Sequence, residues 1–374
     1  MSEQDLRIVH ITDGTTFAGI EAHLLSMFRS ARVHSPPIQM SFVFTSDGDV
    51  AKKFRKSGAD VLTLSPSAAK SVRILRKHFC DLDADIIHMH GYLGVTLGCL
   101  ASWSLRAQPM VTLHANVEPG HGPLEKVWWY NRLARFLPQL RGARFIAVSN
   151  AVASDYSRRG ISSNKMTVVH NGIAPPSPEN KAGPPADPSR KFQRMRFGIV
   201  GRLVWVKDHE LFLRAAALVA AEADDAEFVI IGDGPLRERL ERLSQQLGIN
   251  HQVVFTGNTD NVSRELGRLG ALVITSRSEG IPYSLLEAMQ AGLPVISAKV
   301  GGLPEILTDK LTALIPGSRT ANDFGKAMMS VYSDPTLRAR LSTSAREMTE
   351  GPLSGSAMLE ETLRAYQSAQ SGRP

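Results

Sequence analysis

Residues 276–292 read SRSEGIPYSLLEAMQAG, and this stretch decides how the rest of the chain is interpreted. The run just before it, GALVIT at 270–275, is short, apolar and opened by a turn signal, which is the pattern of a strand buried in a parallel sheet. After it, Leu285, Leu286, Ala288 and Met289 recur at helical spacing. Pro282 suits the opening turn of that helix and Gly292 its end. Glu279 therefore falls in the loop ahead of the helix, and Glu287 falls on the helix itself. A helix start fed from the carboxyl end of a parallel strand offers free amides to phosphate. With a carboxylate on each side to accept hydroxyl protons, it suits a ligand that is anionic in the middle and hydroxyl-rich at both ends. A sugar nucleotide has that form.

Working outward, a chain of 374 residues is too long for one ordinary core and suits two α/β domains. Charged residues make up 21% and hydrophobic residues 43%, the balance of a soluble globular protein. The strand-like runs at 6–11, 39–44, 61–64, 85–89, 110–113, 145–148 and 165–169 alternate with helical patterns at 20–32, 49–57, 70–79 and 94–105. That alternation predicts a doubly wound parallel sheet. Residues 174–190 contain Pro175, Pro176, Pro178, Pro184, Pro185 and Pro188 with few apolar side chains, so they read as a linker. A second set of strands follows at 195–200, 227–231, 252–255, 271–275, 295–297 and 312–315. The expected domains are 1–173 and 191–354, with a cleft between them as the default ligand site. A last helix is expected over 356–367.

Residues 86–105 carry no Asp, Glu, Lys or Arg, yet His88, His90 and the glycines divide them into a strand and a helix rather than a membrane span. The charged N-terminus runs straight into a strand, unlike a signal peptide. Cys80 and Cys99 lack CxxC spacing and are expected to be buried small hydrophobes, which suits a reducing cytoplasm. The net charge of +7 fits a phosphate-bearing substrate or an anionic membrane surface; no nucleic-acid motif accompanies it. Between 124 and 144, Trp128, Trp129, Tyr130, Phe136 and Leu137 are interleaved with Lys126, Arg132, Arg135, Arg141 and Arg144. That mixture fits a membrane–water interface or the basic face of a partly buried helix. No G-x-G-x-x-G follows the first strand, so a dehydrogenase reading fails.

Glu279 and Glu287, eight positions apart, resemble the E-x7-E signature of the retaining glycosyltransferases of family 4, which have the GT-B fold. The similarity continues through Gly292-Leu293-Pro294-Val295-Ile296 and Gly301-Gly302-Leu303-Pro304-Glu305-Ile306. Gly201-Arg202-Leu203 and Lys207-Asp208 resemble the pair that holds the donor diphosphate, with Asp208 where Gly is commoner. Gly232-Asp233-Gly234-Pro235 resembles the family's G-D-G-P and needs a tight turn; Gly257, Asn258, Thr259 and Asn261 stand downstream as candidate contacts to the base. On the first domain, Gly19 is retained from a glycine-glycine loop whose first member is Ala18 here. His114 resembles the histidine of T-x-H-G, and His170-Asn171-Gly172 the turn before the linker. His88 and His90 share a strand face but have no third ligand cluster in the sequence, so no metal is assigned.

The resemblance implies two Rossmann-like sheets facing across a cleft, with the last helix (355–374) crossing back to the first domain. It implies a retaining transfer of a hexose from a nucleoside diphosphate sugar to a hydroxyl of a glycan or lipid-linked acceptor, in cell-surface polysaccharide or glycolipid synthesis. Arg202 and Lys207 would stabilise the departing diphosphate. Glu279 and His114 would serve the transferred sugar, and Glu287 the ribose. Gly280, Ile281, Pro282, Tyr283, Ser284 and Gly19 would line the donor. No cofactor and no metal are expected, since cations and helix amides compensate the charge. The expected setting is cytoplasmic, with peripheral contact at the inner face of the plasma membrane. A GT-B nucleotide-sugar epimerase and a non-catalytic sugar-nucleotide binder are the alternatives.

Overall fold

A computed structural model describes residues 6–14, 19–34, 38–64, 68–116, 134, 136–176, 194–259 and 261–371. The chain divides into two compact units, one of Met1–Ala174 with Gly355–Pro374 and one of Pro175–Ser354. Most of the Pro-rich stretch and the aromatic residues Trp128, Trp129 and Tyr130 lie outside the described residues.

The first unit holds β1 (Arg7–Thr12), β2 (Gln39–Phe44), β3 (Asp60–Thr63), β4 (Ile86–Met89), β5 (Gln108–Leu113), β6 (Arg144–Ala147) and β7 (Met166–Val168). All seven are parallel, in the order β3-β2-β1-β4-β5-β6-β7. The chain starts in the middle, moves outward to β3 and returns to β4 beside β1. That reversal opens a crevice at the carboxyl ends of β1 and β4. Burial on both faces explains why β1, β4 and β5 do not alternate apolar with exposed polar residues: nearly every position is buried, including the polar His10, His88 and Thr112. On one face Phe42, Phe44 and Phe54 pack with Met358, Leu359, Leu363 and Tyr366 of the last helix, Gly355–Ser371. On the other, Val9, Ile11, Ile87, Val111 and Phe145 pack with Leu75 and Phe79. The last helix enters that core through Gly355, where a Cβ would lie 2.3 Å from the Ser30 hydroxyl.

The second unit has five parallel strands, β8 (Arg196–Val200), β9 (Glu227–Ile231), β10 (Val253–Gly257), β11 (Ala271–Ile274) and β12 (Val295–Ser297). Their order, β10-β9-β8-β11-β12, repeats the same reversal, here between β8 and β11. Phe197, Phe212, Phe228 and Phe324 are fully buried in its core.

Three expectations are corrected. The 312–315 run is not a strand: Leu314 makes an isolated bridge to Ile296 and Ala313 one to Asp309, because Thr312 turns back on Thr308. Cys80 is exposed rather than buried, since it lies on the solvent side of the helix Ala68–Asp81, whereas Cys99 is buried and its thiol is pushed up to about 12 by desolvation. The helix expected over 94–105 runs Gly91–Ala101, and His90 rather than a later residue precedes it. Among the described residues no helix is long and apolar enough to cross a membrane.

Candidate active site

In the second unit the site is built at the carboxyl ends of β8 and β11. Past β8, Gly201 has φ near +150°, and its amide donates to the Ile231 carbonyl at 2.9 Å. A Cβ there would lie 3.3 Å from Cε of Lys207, so glycine leaves room for the lysine stem. Lys207 ends a single 3-10 turn, Trp205–Lys207, and Asp208 follows in the left-handed region at φ 53°. Asparagine and aspartate tolerate that region better than other non-glycine residues, so Asp208 can stand where the family more often has glycine.

Past β11, Thr275 and Ser276 lead to Glu279. The lysine Nζ donates to Glu279 Oε1 at 2.6 Å, and Ser276 Oγ donates to the same oxygen at 2.6 Å. The Glu279 side chain is 10% exposed and that of Lys207 22%, so the pair is largely withdrawn from water. Glu279 Oε2 accepts from no group among the described residues. One oxygen is thus held by two donors while the other keeps its capacity to accept a hydrogen bond. The Glu279 backbone is fixed as well: its carbonyl accepts from the Gly302 amide at 3.0 Å, and Gly301, at φ 54°, passes so close that a Cβ would meet that carbonyl oxygen at 1.9 Å.

Asp208 locks the two loops together. Its buried carboxylate meets Arg277 at 2.9 Å and Arg319 at 2.5 Å, and Arg319 also donates to the Thr275 carbonyl. Thr275 Oγ1 donates to the carbonyls of Lys207 and Asp208, and the Arg277 amide to that of Val206. The Arg277 guanidinium sits 4.7 Å over the Trp205 ring. Ser276, Arg277 and Arg319 were not singled out from the sequence. Ser276 could have been, being three residues before Glu279 on the same loop; Arg319 lies 111 positions from its partner and carried no signal.

The remaining donor candidates fall as follows. Arg202 is exposed, with no side-chain hydrogen bond or ion pair among the described residues. Gly280 and Ile281 are buried, Pro282 precedes the helix Tyr283–Gln290, and Ser284 and Glu287 are half-buried on it. The side chains of Ile281 and Tyr283 face the core, so what these two residues can offer a ligand is their backbone. The turn at Gly232 has φ 133°, and a Cβ there would lie 2.2 Å from the Gly201 carbonyl oxygen; the G-D-G stretch therefore lets the loops after β8 and β9 approach. Asn261 caps the short helix Val262–Leu266 by accepting from the Arg264 amide.

In the first unit, Gly19 opens the helix Gly19–Val33 and is exposed, while Ala18 lies outside the described residues. His114 sits just past β5, half-buried, and one of its nitrogens meets His90. His88 and His90 do share a sheet face, and the structure adds His10, which pairs with His88 across the β1–β4 register, and His23 from the helix. Burial pulls the imidazoles of His10 and His23 down, to about 3 and about 4, and those of His88, His90 and His114 well below the usual value. Asn171 is buried and holds His23 Nδ1 at 3.0 Å. One nitrogen each of His10, His88 and His90 lies within 4.8 Å of the others, close enough for an ion, but His88 already uses both of its nitrogens, on Tyr366 Oη and Thr112 Oγ1.

Residues 8–175 match the model described as Glycosyltransferase Family 4, and residues 188–348 match the model described as Glycosyl transferases group 1. The chain belongs to the family 4 glycosyltransferases. Among known proteins, this glycosyltransferase is 27% identical over 67% of its length to the Vi polysaccharide biosynthesis protein VipC/TviE of Salmonella typhi, covering 45% of that protein. It is 30% identical over 45% of its length to the lipopolysaccharide core biosynthesis glycosyltransferase LpsD of Rhizobium meliloti, covering 48% of it. The chain thus spans about half the length of these two curated relatives. Anabaena HepE, solved in complex with UDP and glucose, superposes with a TM-score of 0.81 at 17% identity, covering 97% of this chain and 100% of that one. The fold is that of the GT-B glycosyltransferases, two parallel-sheet α/β units.

Proposed function

We propose that this glycosyltransferase moves a hexose, with retention, from a nucleoside diphosphate sugar to a hydroxyl of a glycan or lipid-linked acceptor in polysaccharide or glycoconjugate synthesis. The observation that carries the reading is the Glu279 carboxylate, one oxygen held by Lys207 and Ser276 and the other without a partner among the described residues. A hydroxyl of the transferred sugar donates to the second oxygen. Lys207 then lies within one carboxylate's width of the sugar, where the bond to the diphosphate breaks. Its fixed charge, with that of Arg202 and the amides opening the helix Tyr283–Gln290, stabilises the departing phosphate without a metal ion. Glu287 takes a ribose hydroxyl, and Gly19 and His114 serve the sugar from the first unit. The printed descriptions of VipC/TviE and LpsD support a polysaccharide or lipopolysaccharide product, and the HepE complexes support a UDP-linked donor. The net charge of +7, with Phe136 and Leu140 61% and 57% exposed, supports peripheral contact with an anionic membrane from the cytoplasmic side.

A thermal-shift screen of UDP, GDP and ADP sugars tests the donor. A ligand at a hundred times its Kd adds about 2.7 kcal/mol to the native state, a readily measured rise in Tm. Release of the nucleoside diphosphate that depends on added acceptor supports transfer. Release together with an altered free sugar, without acceptor, would mark an epimerase instead, and no shift with any sugar nucleotide would overturn the reading.

A further inference from the structure

We propose that His10 and His90 are positioning residues that form a relay of neutral imidazoles fixing the proton of His114 on Nδ1, so that His114 meets substrate as a hydrogen-bond donor. The proposal rests on the reading that His114 touches the transferred sugar.

The geometry is a row of rings along one sheet face. Side chains two apart on a strand share a face, and register sets His10 beside His88, with Thr112 two residues beyond the β5 partner of His88. His10 Nδ1 lies 3.1 Å from His90 Nε2, and His90 Nδ1 lies 3.0 Å from His114 Nε2. His10 and His90 are 1% and 0% exposed. The His90 backbone is fixed too, its amide donating to the Ile11 carbonyl at 2.8 Å. Thus the row runs from the core outward to a half-buried histidine at the carboxyl end of β5.

The inner end decides which way the protons point. His10 Nε2 is buried and has no hydrogen-bond partner among the described residues. Phe42 stacks on the flat face of the His10 ring, 5.3 Å between centroids, and cannot accept an in-plane N–H. If the protons pointed inward, His10 would carry an N–H at Nε2 with no acceptor. Orphaned buried N–H groups are rarer than under-satisfied acceptors. If they point outward, His10 donates from Nδ1 to His90 Nε2, His90 donates from Nδ1 to His114 Nε2, and only a lone pair is left unmatched inside. A mixed arrangement sets two N–H groups or two lone pairs against each other at a 3 Å junction and loses that bond. The outward arrangement leaves His114 with its proton on Nδ1, which has no partner among the described residues. The same nitrogen cannot then act as a base.

Burial keeps the row neutral, and the neighbouring groups do not draw it onto an ion. His88 is held between Tyr366 Oη at 2.6 Å and Thr112 Oγ1 at 2.7 Å, so it leaves the other three rings to one another. The rings of His10, His88 and His90 are tilted by 32–36° at centroid distances of 4.3–5.4 Å, a stack rather than a set of nitrogens converging on one ion. Among the described residues, the His10, His88 and His90 group includes no carboxylate that could offset an ion's charge.

The test is a nitrogen-15 NMR spectrum of the imidazole side chains of the full chain at pH 7.5, with zinc content measured on the same sample. His10, His90 and His114 are expected as Nδ1–H tautomers that do not change on adding EDTA. An Nε2–H tautomer at His114 would overturn the relay. So would stoichiometric zinc whose removal moves these signals. A pair of variants extends the test: His90→Leu should release His114 to the Nε2–H form favoured in water and lower kcat about tenfold at nearly constant KM, with Tm followed as a folding control. His90→Gln, which keeps an amide donor, should restore part of both. An unchanged His114 tautomer in His90→Leu would contradict the proposal, and the wild-type spectrum decides the matter if that variant does not fold. The spectrum is independent of turnover. A His114→Ala enzyme with wild-type kcat would overturn the catalytic reading of His114, not the relay.

Discussion

Substituting Gly301 with alanine puts the geometry around Glu279 under direct load. The new Cβ would start 1.9 Å from the Glu279 carbonyl oxygen, and real Cβ contacts do not fall below 3.0 Å, so one backbone must retreat by about 1.1 Å (3.0 minus 1.9). Gly301 itself is at φ 54°, where an L side chain costs about 1–2 kcal/mol. At roughly 2–4 °C per kcal/mol for a unit of this size, Tm should fall by about 2–8 °C. The effect on turnover should be larger than that loss suggests. The Gly302 amide that holds the Glu279 carbonyl moves with Gly301, and a displacement of about 1 Å at a reacting group can cost about 100-fold in rate. The assay is release of nucleoside diphosphate from the best donor of the screen, at a temperature where circular dichroism shows the variant folded. Gly317→Ala is the control, since a Cβ there meets only Asp323 Oδ2 at an ordinary 3.7 Å. A Gly301→Ala enzyme with wild-type kcat would refute the idea that the placement of Glu279 depends on this contact.

Other outcomes follow from the same geometry. Ser276→Ala removes one of the two donors on Glu279 Oε1; a hydrogen bond to a charged group is worth about 1.5–3 kcal/mol, so kcat should drop about tenfold or more with Tm little changed, and an unaltered kcat would show the hydroxyl to be idle. Asp208→Asn keeps the left-handed backbone but leaves Arg277 and Arg319 facing each other without their carboxylate. The carboxylate is buried but the Arg277 and Arg319 side chains are 38% and 30% exposed, so the loss should be about 1.5–3 kcal/mol, that of a hydrogen bond to a charged group, which urea unfolding should register as a lowered midpoint; no change in midpoint would contradict the hub. Acid should destabilise the first unit through its histidines. Their folded-state values, about 3 for His10 and about 4 for His23, lie below the unfolded value near 6.5, so the unfolded chain takes up protons first as pH falls. Their stabilising contribution is complete above pH 6.5 and is lost as pH falls toward 4 and 3, at up to about 1.4 kcal/mol per histidine per pH unit. Urea midpoints at pH 7.5 and 5.5 should differ accordingly, and equal midpoints would contradict the burial of neutral rings.

Where the controlling interactions are local, the sequence could be read directly. The apolar run 271–274, Pro282 ahead of the helix that follows it and Gly292 at φ 70° after that helix lie within one element or turn, and these appear where the pattern put them. Glu279 and Lys207 were singled out through motifs, yet their contact spans 72 positions and follows from β8 and β11 being neighbours in the sheet. The pair at His88 and His90 was visible as H-x-H, whereas His10 joins it only because the strand order places β1 beside β4. The 312–315 run shows the opposite failure. Its apolar residues look like a strand, but the Thr308–Thr312 turn spends the backbone groups that a ladder would need.

The central claim is that the cation at Lys207, paired with Glu279, stabilises the leaving diphosphate during glycosyl transfer. The most direct measurement is kcat of Lys207→Ala beside the wild type, with saturating donor and acceptor. Removal of one such transition-state contact should lower kcat at least about 100-fold while the protein stays folded. Turnover close to the wild-type rate would contradict the account.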